Sequence, residues 1–521
     1  MKPPHCNLPN SVLLCAGLFL GLFTLASAGV GYAQTCTPGT GTRVTVHPGD
    51  NVQSIVNTNP CGSTFIFAPG TYSNVTIFPV DETNHPIDGD SFVGQNSRTS
   101  TMPSILYGGT TINSFTRSGR YWVGNIQTTP APASGSNYRC DSTHPACLLP
   151  EDLFFNGKLY LRVTTKAAVV SGSWYLDYKT GGVYLVNNPA GHTVEASITH
   201  FAIYAANVAN VTISNLIVDK YANPGGYGAI SGVDPTGAST LPTFKWQVQN
   251  VEVRNCHGAG VWLGNQMAVT QSFLHNNGEF GLAGTGNNIT FNNNEVSFNN
   301  LVGFLAEVGG GTKFSNILNL TAQNNNIHDN LGPGLWDDAS STSITYASNT
   351  LKNNRVAGIF HEIGGTADIH DNTVTNDGID NRGAGYWYGA GIMISNSNGV
   401  NVHNNTVINS QNGIMEQARN RPDCASPCYL QNVKVYSNSI TQDHAVKANT
   451  IATGILVQKS YPLGNGVYTS SGNTFGIDPT GTPAPNTYTL RPSTDPFFIW
   501  LQNTVPNSAI RYSQWQADGN N

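Results

Sequence analysis

The stretch NTLKNNRVAGI, from Asn349 to Ile359, contains both units of a repeat that fills most of the chain. The first unit is Asn, a variable residue and an apolar residue, and the second is Gly followed by an apolar residue. The Asn unit recurs at Asn294, Asn325, Asn349, Asn372, Asn405 and Asn438, and the Gly unit at Gly260, Gly281, Gly303, Gly334, Gly358, Gly391, Gly413 and Gly454. In four successive repeats, which start at Ser272, Asn294, Asn325 and Asn349, the Gly comes nine positions later.

A period in the low twenties, made of short β-branched segments broken by Asn and Gly, predicts an all-β fold, a right-handed parallel β-helix. Each coil of such a solenoid buries its inward residues against the coils above and below. Asn suits left-handed backbone at the bends, and stacked Asn side chains can hydrogen-bond along the stack. A leucine-rich-repeat horseshoe would need a Leu framework that is missing here, and an immunoglobulin-like sandwich would not explain the fixed spacing.

The repeat is interrupted, which predicts three regions after the N-terminus. We expect the solenoid over residues 35–474, with an inserted module at about 130–199. In this module Trp174–Asp177 and Val183–Leu185 predict a β-hairpin. The segment 475–521, which is rich in Pro and contains Trp515, predicts a cap over the open end of the stack.

The N-terminus has the pattern of a signal peptide over residues 1–28, which predicts a secreted protein. Lys2 precedes an apolar run from Val12 to Leu25, and small residues around Ala28 suit signal peptidase, with Gln34 as the alternative cleavage point. An uncleaved anchor is the competing interpretation, but the run is short for a membrane span. No later segment is long and apolar enough to span a bilayer.

The cysteines fit an oxidising compartment. We expect disulfides between Cys140 and Cys147 and between Cys424 and Cys428, with Cys36 and Cys61 as a third pair. A zinc site at Cys424 and Cys428 is the alternative, although a second ligand pair is missing. Cys256 lies in an apolar repeat, which favours a buried free thiol.

Charged residues make up only 10% of the chain and the net charge is −6, which argues against nucleic acid as a partner. The sequence leaves the oligomeric state open.

The position four residues after each repeat Gly carries acids in three successive repeats, at Glu307, Asp338 and Glu362. Strand alternation predicts that this position and the second position face outward. The second position is apolar or aromatic: it carries Trp262, Leu305, Trp336, Phe360, Met393 and Met415. Acids beside exposed Trp336 and Phe360 predict a polysaccharide-binding face. The alternative is that the phase is wrong and these rings belong to the core.

Neighbouring coils lie about 4.8 Å apart, so three stacked carboxylates would repel one another unless a proton is shared or a cation binds. Carboxylates one coil apart fit the separation of about 5 Å in a retaining glycosidase, and two coils apart fit an inverting one. Solvated surface acids are the alternative. We expect no cofactor for hydrolysis. A calcium ion on Asp338 and Glu362 would accompany a lyase reaction.

Flanking residues complete the candidate site. His361 precedes Glu362 and could relay a proton or orient the acid, or it could be packed in the core. Asp337 should point inward, where it needs a partner or a bulge. Lys313 could supply a cation at the same face. Three arginines in the loops around this face could hold an acidic sugar, or be solvated; these are Arg382, Arg419 and Arg421.

The segment from His328 to Asp338, followed by Gly358–Gly364, resembles a motif pair in secreted bacterial right-handed β-helix proteins of the pectin-lyase-like superfamily. The stretch Cys147–Gly157, the Trp174 hairpin and the Trp515 tail resemble the same group. The resemblance implies that Asp338 and Glu362 are its acidic positions. The chain departs from the pattern at Asp337, where an uncharged residue is usual, and at Gly364, where Ser is usual.

Together these patterns predict a secreted, carbohydrate-active enzyme that hydrolyses glycosidic bonds in a polysaccharide, with Glu307, Asp338 and Glu362 as the reacting acids. The second hypothesis is a calcium-assisted lyase on a uronate polymer, in which Lys313 or a loop Arg takes the C5 proton. The third is a non-catalytic glycan-binding or cell-surface protein.

Overall fold

The computed structural model describes residues 36–78, 87–95, 100–129, 139–205, 208–232, 244–378, 389–419, 428–443, 453–461, 468–471, 474–491, 498–501 and 509–510. Several predictions therefore fall outside the described residues: the signal peptide, Arg382, Arg421, Cys424, the tail around Trp515, and the side chains of Arg419 and Cys428. No helix in the described ranges is long and apolar enough to cross a membrane.

The chain winds into coils of three strands, and equivalent strands of successive coils pair in parallel to form three long sheets. Sheet 1 contains the strands that follow the repeat Gly. Its members are Ile203–Tyr204, Gly228–Ser231, Ala259–Leu263, Leu335–Asp338, Ala357–Glu362, Ala390–Ser395, Asn412–Arg419, Thr453–Tyr461 and Phe498–Leu501, and the strand Ala509–Ile510 closes it by antiparallel pairing. Parallel pairing thus continues past residue 474.

Sheet 2 follows sheet 1 in each coil, and sheet 3 comes after the Asn bend. Sheet 2 contains Arg43–Val46, Thr64–Phe67, Ser91–Gly94, Thr212–Ser214, Gln247–Gln249, Ala268–Thr270, Thr342–Ala347, Ala367–His370, Val400–His403, Lys434–Tyr436 and Thr474–Phe475. The strands Phe280–Asn292 and Gly310–Gln323 run through both sheets 1 and 2. Sheet 3 contains Gly70–Ser73, Ser104–Tyr107, Leu216–Asp219, Glu252–Arg254, Phe273–His275, Glu295–Ser297, Asn326–His328, Thr350–Lys352, Thr373–Thr375, Thr406–Ile408, Ser439–Asp443 and Thr487–Arg491.

The remaining described strands and the helix lie outside the three sheets of the solenoid. An eight-stranded, mostly antiparallel module contains Gly109–Thr111, Thr116–Ser118, Tyr121–Asn125, Leu153–Phe155, Lys158–Arg162, Ser173–Asp177, Gly182–Leu185 and Val194–Ser197, with a 3-10 turn at Lys166–Ala168. Ser173–Asp177 and Gly182–Leu185 form the hairpin, and the module begins earlier than the sequence predicted, at Gly109. The helix Val52–Thr58 lies near the N-terminus, and Cys428–Gln431 pairs with Tyr468–Ser471.

One apolar core runs along the solenoid, because the inward residue of each strand stacks on its equivalents in neighbouring coils. Leu335, Ile359 and Ile392 form one such column, and each is fully buried. The burial of these residues against neighbouring coils supplies the main hydrophobic stabilisation. The predicted phase of sheet 1 is therefore confirmed.

The repeat Asn residues form a hydrogen-bonded ladder at the bend between sheets 2 and 3, as predicted. Asn349, for example, accepts a bond from the backbone N–H of Asn325 at 3.0 Å and donates to Asn372 Oδ1 at 2.9 Å. The left-handed residue, however, is the one before each ladder Asn: φ lies between 54° and 59° at Asn293, Asn324, Ser348, Asp371 and Asn404. The ladder Asn is therefore needed for its side-chain amide, and its predecessor makes the turn.

The repeat Gly is needed for close approach between coils. At Gly334 an added Cβ would lie 2.7 Å from the carbonyl oxygen of Gly358 and 2.9 Å from Asn354 Nδ2. In one coil the residue at the repeat-Gly position is Gly311 rather than Gly303, because the strand Gly310–Gln323 supplies the sheet 1 segment. The assignment of Gly303 was wrong, since nine-residue spacing from Asn294 holds there in sequence but not in the fold.

Two of the predicted disulfides, Cys36–Cys61 and Cys140–Cys147, are formed. Cys256 is a buried free thiol, and burial raises its pKa well above the usual value, so it is not a nucleophile.

Candidate functional site

Two of the three candidate acids, Asp338 and Glu362, come together on the outer side of sheet 1. Trp336 and Asp337 pair with Phe360 and His361 of the next coil, so Asp338 and Glu362 follow at equivalent positions one coil apart. The column continues with Ser395 and Gln417. Asp338 is partly buried and Glu362 is 5% exposed. Adjacent strands lie about 4.8 Å apart, so Asp338 and Glu362 are separated by one strand spacing along the stack.

Glu307 does not belong to this column, so the prediction of three stacked acids was wrong. It lies in an exposed turn between Phe304 and Gly310, because this coil enters sheet 1 at Gly311. The residue that stacks beneath Asp338 is Ser315. The repulsion that the sequence predicted is thereby limited to one carboxylate pair.

Lys313 supplies the cation beside this pair, as the sequence suggested. Its Nζ lies 3.1 Å from Asp338 Oδ2 and 3.5 Å from the centre of the Trp336 ring. It also donates to the backbone carbonyl of Glu307 at 3.0 Å. The ammonium is held by a carboxylate, a ring face and a carbonyl at once, which fixes its position relative to Asp338.

The aromatic residues of the second position lie on the outer side of sheet 1 but are not exposed, so the prediction of a solvent-facing stripe was wrong. Trp336 is 3% and Phe360 4% exposed, and their rings stack at 5.6 Å with an angle of 11°. Both belong to a second apolar cluster, separate from the main core, with Met393 and Met415. Because their faces contact each other and Lys313, these rings are part of the support beneath the carboxylates.

Asp337 and His361 were candidate catalytic residues, and the structure corrects this assignment. Both point inward and are fully buried, so neither can touch a ligand outside the solenoid. His361 Nδ1 lies 2.7 Å from Asp337 Oδ2, and Tyr346 donates its hydroxyl to Asp337 Oδ1 at 2.9 Å. Asp337 thus has the partners that its burial demands, without a bulge.

Burial lowers the pKa of His361, but the charge of Asp337 and hydrogen bonds to Asp337 and Gly365 outweigh it and raise the pKa overall. For Tyr346, burial and then the Asp337 charge raise the pKa far above its usual value, so its hydroxyl stays protonated. The buried network therefore joins the His361 ring and the Tyr346 hydroxyl to one carboxyl group, that of Asp337.

Both departures from the pectin-lyase-like pattern contact the same ring. Asp337 bonds His361 Nδ1, and a Cβ on Gly364 would lie 2.3 Å from His361 Cε1. A Ser at position 364 would therefore collide with His361. The two departures have one explanation: Asp337 supplies a hydrogen-bond acceptor for the buried His361 imidazole, and Gly364 leaves space for it.

Calcium was the cofactor of the lyase hypothesis, and the donors described around Asp338 do not fit it. Calcium takes six to eight oxygen ligands, and here Lys313 places an ammonium 3.1 Å from one of the two carboxylates. In the described part of the chain, no group of three or more His, Cys, Asp or Glu side chains is arranged to hold a metal.

Sequence reasoning missed two features. Tyr346 was overlooked because its role depends on sheet 2 facing sheet 1 across the core. An inward Tyr one strand after an inward Asp is the signal that could have found it.

The second missed feature is a cavity of about 220 Å³ lined by residues of the inserted module and the solenoid. There His257 Nδ1 lies 3.1 Å from Asp152, and its Nε2 lies 2.9 Å from the Cys147 carbonyl oxygen.

Comparisons with known proteins agree with this architecture. Residues 231–390 match the family model described as a right handed beta helix region. The structure of XylC in complex with xylose is similar, with a TM-score of 0.57 and 13% identity over 87% of this chain and 86% of that chain. The chain is a right-handed parallel β-helix protein. The predicted right-handed parallel β-helix fold is thereby confirmed.

Two further solved structures are similar to this β-helix at lower scores. The A-module of a mannuronan C-5 epimerase from Azotobacter vinelandii has a TM-score of 0.37 and 11% identity over 82% of this chain and 88% of that chain. The Dettilon tailspike protein has a TM-score of 0.43 and 11% identity over 88% of this chain and 70% of that chain. No curated protein sequence matches the β-helix. At these identities the likeness establishes the fold alone.

Proposed function

We propose that this β-helix is an extracellular carbohydrate-active enzyme that hydrolyses glycosidic bonds in a polysaccharide, with Asp338 and Glu362 as its catalytic carboxylates. The observation that carries the proposal is their register: they occupy the same outward position of adjacent strands. Two carboxylates at a fixed short separation are the common requirement of glycosidases.

The register also favours one stereochemical course. A strand spacing of one coil, about 4.8 Å, lies near the separation of about 5–5.5 Å in retaining enzymes and below the roughly 6.5–9.5 Å of inverting enzymes. With Glu307 outside the column, the two-coil spacing is not available. The proposed reaction is therefore a double displacement with retention at the anomeric carbon.

The surroundings of the two acids suggest their roles. Lys313 Nζ lies 3.1 Å from Asp338 Oδ2 and orients this carboxylate, so we assign Asp338 as the nucleophile that attacks the anomeric carbon. Glu362 then acts as the acid that protonates the departing sugar oxygen, and afterwards as the base that activates water. The Asp338 and Glu307 contacts already engage Lys313 Nζ, which makes Lys313 a poor candidate for the base in the β-elimination of a lyase.

A polysaccharide panel tests this proposal. It is scored for new reducing ends and for absorbance of unsaturated uronates, with and without EDTA. We expect reducing ends without absorbance, unaffected by EDTA. Absorbance that EDTA abolishes would instead support the calcium-assisted lyase.

Three variants locate the chemistry on the active polysaccharide. Glu362→Gln and Asp338→Asn should each lower kcat by about 1,000-fold or more, because each removes a group that reacts directly. Glu307→Gln is the matched control and should keep wild-type activity, since that acid lies outside the column. Glycan binding that survives both substitutions, with no product from any protein, would indicate a binding protein instead.

A further inference from the structure

The buried pair beneath the proposed catalytic acids joins the two coils that carry them. Asp337 immediately precedes Asp338, and His361 immediately precedes Glu362. Because strand side chains alternate, the acids face outward while Asp337 and His361 meet in the core, 2.7 Å apart. This contact crosses the boundary between the two coils.

His361 makes a second contact, to the turn that follows Glu362. Its Nε2 lies 3.0 Å from the carbonyl oxygen of Gly365. Since Asp337 and this carbonyl are both acceptors, the ring donates from both nitrogens and is an imidazolium. Ile363, in the same turn, has φ of 49°, so the backbone bends sharply directly after Glu362. The His361 ring therefore contacts both the Asp337 carboxyl group of the neighbouring coil and the Gly365 carbonyl of the turn after Glu362.

The fold does not require a charged pair at this layer of the core. The residues that stack on Asp337 and His361 in the coils on either side are Phe314 and Ile394, both fully buried and apolar. Replacing a buried ion pair by packed apolar residues is often neutral for stability. Among the described residues, the ionisable groups that face this layer are Tyr346, bonded to Asp337, and Glu416, which lies beyond Ile394.

We propose that Asp337 and His361 form a positioning clamp that fixes the separation and orientation of Asp338 and Glu362. The clamp rests on the proposed function of these two acids. Asp337 links His361 to the Asp338 coil, and Gly365 links it to the turn after Glu362. Tyr346 completes the clamp by orienting the Asp337 carboxylate. Catalytic groups need positions accurate to about 0.5 Å, which a short charged contact between coils provides.

The test replaces the clamp by apolar residues like those in the neighbouring coils. The variant is Asp337→Leu/His361→Leu/Tyr346→Phe, in which no side chain of the network is left unpaired and only the Gly365 carbonyl loses its His361 contact. We expect a folded protein whose kcat on the active polysaccharide falls about 100-fold, as misplacement of about 1 Å does, while KM changes less than about threefold. Ile394→Leu, in the same core column, is the matched control and should keep wild-type kcat.

Crystal structures of the wild type and the triple variant give a second readout that does not depend on activity. The clamp predicts a change of about 0.5 Å or more in the separation of the Asp338 and Glu362 carboxylates. A folded triple variant with wild-type kcat and unchanged separation overturns the clamp, while the hydrolase proposal stands. An inactive wild type overturns the hydrolase, and the separation alone then decides the clamp.

Asp337→Asn is the second variant if the triple variant does not fold. It keeps the shape and the Tyr346 contact but removes the charge. The clamp predicts a loss of kcat with KM nearly unchanged, and wild-type kcat would overturn it.

Discussion

The Asn bend and the sheet 1 core layer join successive coils by different means. At the bend, the same neutral amide contact repeats from Asn294 to Asn438, each residue bonding the next coil at about 3 Å. In the core layer, a charged contact between Asp337 and His361 joins two coils, with Phe314 and Ile394 on either side. A contact that repeats from coil to coil, as the Asn contact does, stabilises the fold. The Asp337–His361 contact lies directly under two outward acids, and we propose that it serves the site.

Asn349→Ala should have the largest effect on stability, because it breaks the repeated contact. The substitution removes the acceptor for the Asn325 backbone N–H and side-chain amide, and it removes the side-chain donor to the Ala322 carbonyl. Asn372 Oδ1 loses one of its two donors and keeps the backbone N–H of residue 349. We expect a loss of about 4 kcal/mol in the free energy of unfolding, since several buried polar groups become unsatisfied. Asn326→Ala, at an exposed position of the adjacent strand, is the control and should change stability by less than about 0.5 kcal/mol in denaturant titrations.

Gly334→Ala should have an intermediate effect. The new Cβ would lie 2.7 Å from the Gly358 carbonyl, which belongs to the backbone of the next coil and cannot move freely. A cost of about 2 kcal/mol in the free energy of unfolding follows from the overpacking. Calorimetry would show it as a lower Tm, and an unchanged Tm would mean that the coils are not held as closely as the ladder implies.

The pH dependence of stability should distinguish the charged Asp337–His361 contact from the neutral Asn contact, and the expected effect is smaller than those above. The pKa of His361 is raised in the folded state, so its contribution is fully present below its unfolded pKa of about 6.5 and is lost as pH rises through the folded pKa. In that window the free energy of unfolding should fall by up to about 1.4 kcal/mol per pH unit. Asp337→Leu/His361→Leu/Tyr346→Phe should lose this slope, whereas Asn326→Ala should keep it. Parallel curves for the triple variant and wild type would show that His361 is not charged.

The periodic features were predictable because each is set by local chemistry that recurs. The Asn ladder, the inward phase of Leu335 and Ile359, and the pairing of Asp338 with Glu362 all follow from strand alternation and a fixed repeat. The prediction failed at Glu307. Gly303 has the expected nine-residue spacing from Asn294, but an insertion follows it, and Gly311 takes the repeat-Gly position in the fold.

Exposure and long-range partners were not predictable in the same way. Trp336 and Phe360 face outward as alternation requires, but whether an outward ring is exposed depends on what covers it. Tyr346 meets Asp337 across the core, and no local pattern encodes the distance between sheets 1 and 2.

The anomeric configuration of the first product tests the central claim most directly. Proton NMR of a polysaccharide digest, recorded before mutarotation, distinguishes retention from inversion. A catalytic pair one coil apart predicts retention, with signal lost in Glu362→Gln and kept in Glu307→Gln. Inversion would contradict the account, because it requires a wider separation than Asp338 and Glu362 have on adjacent strands.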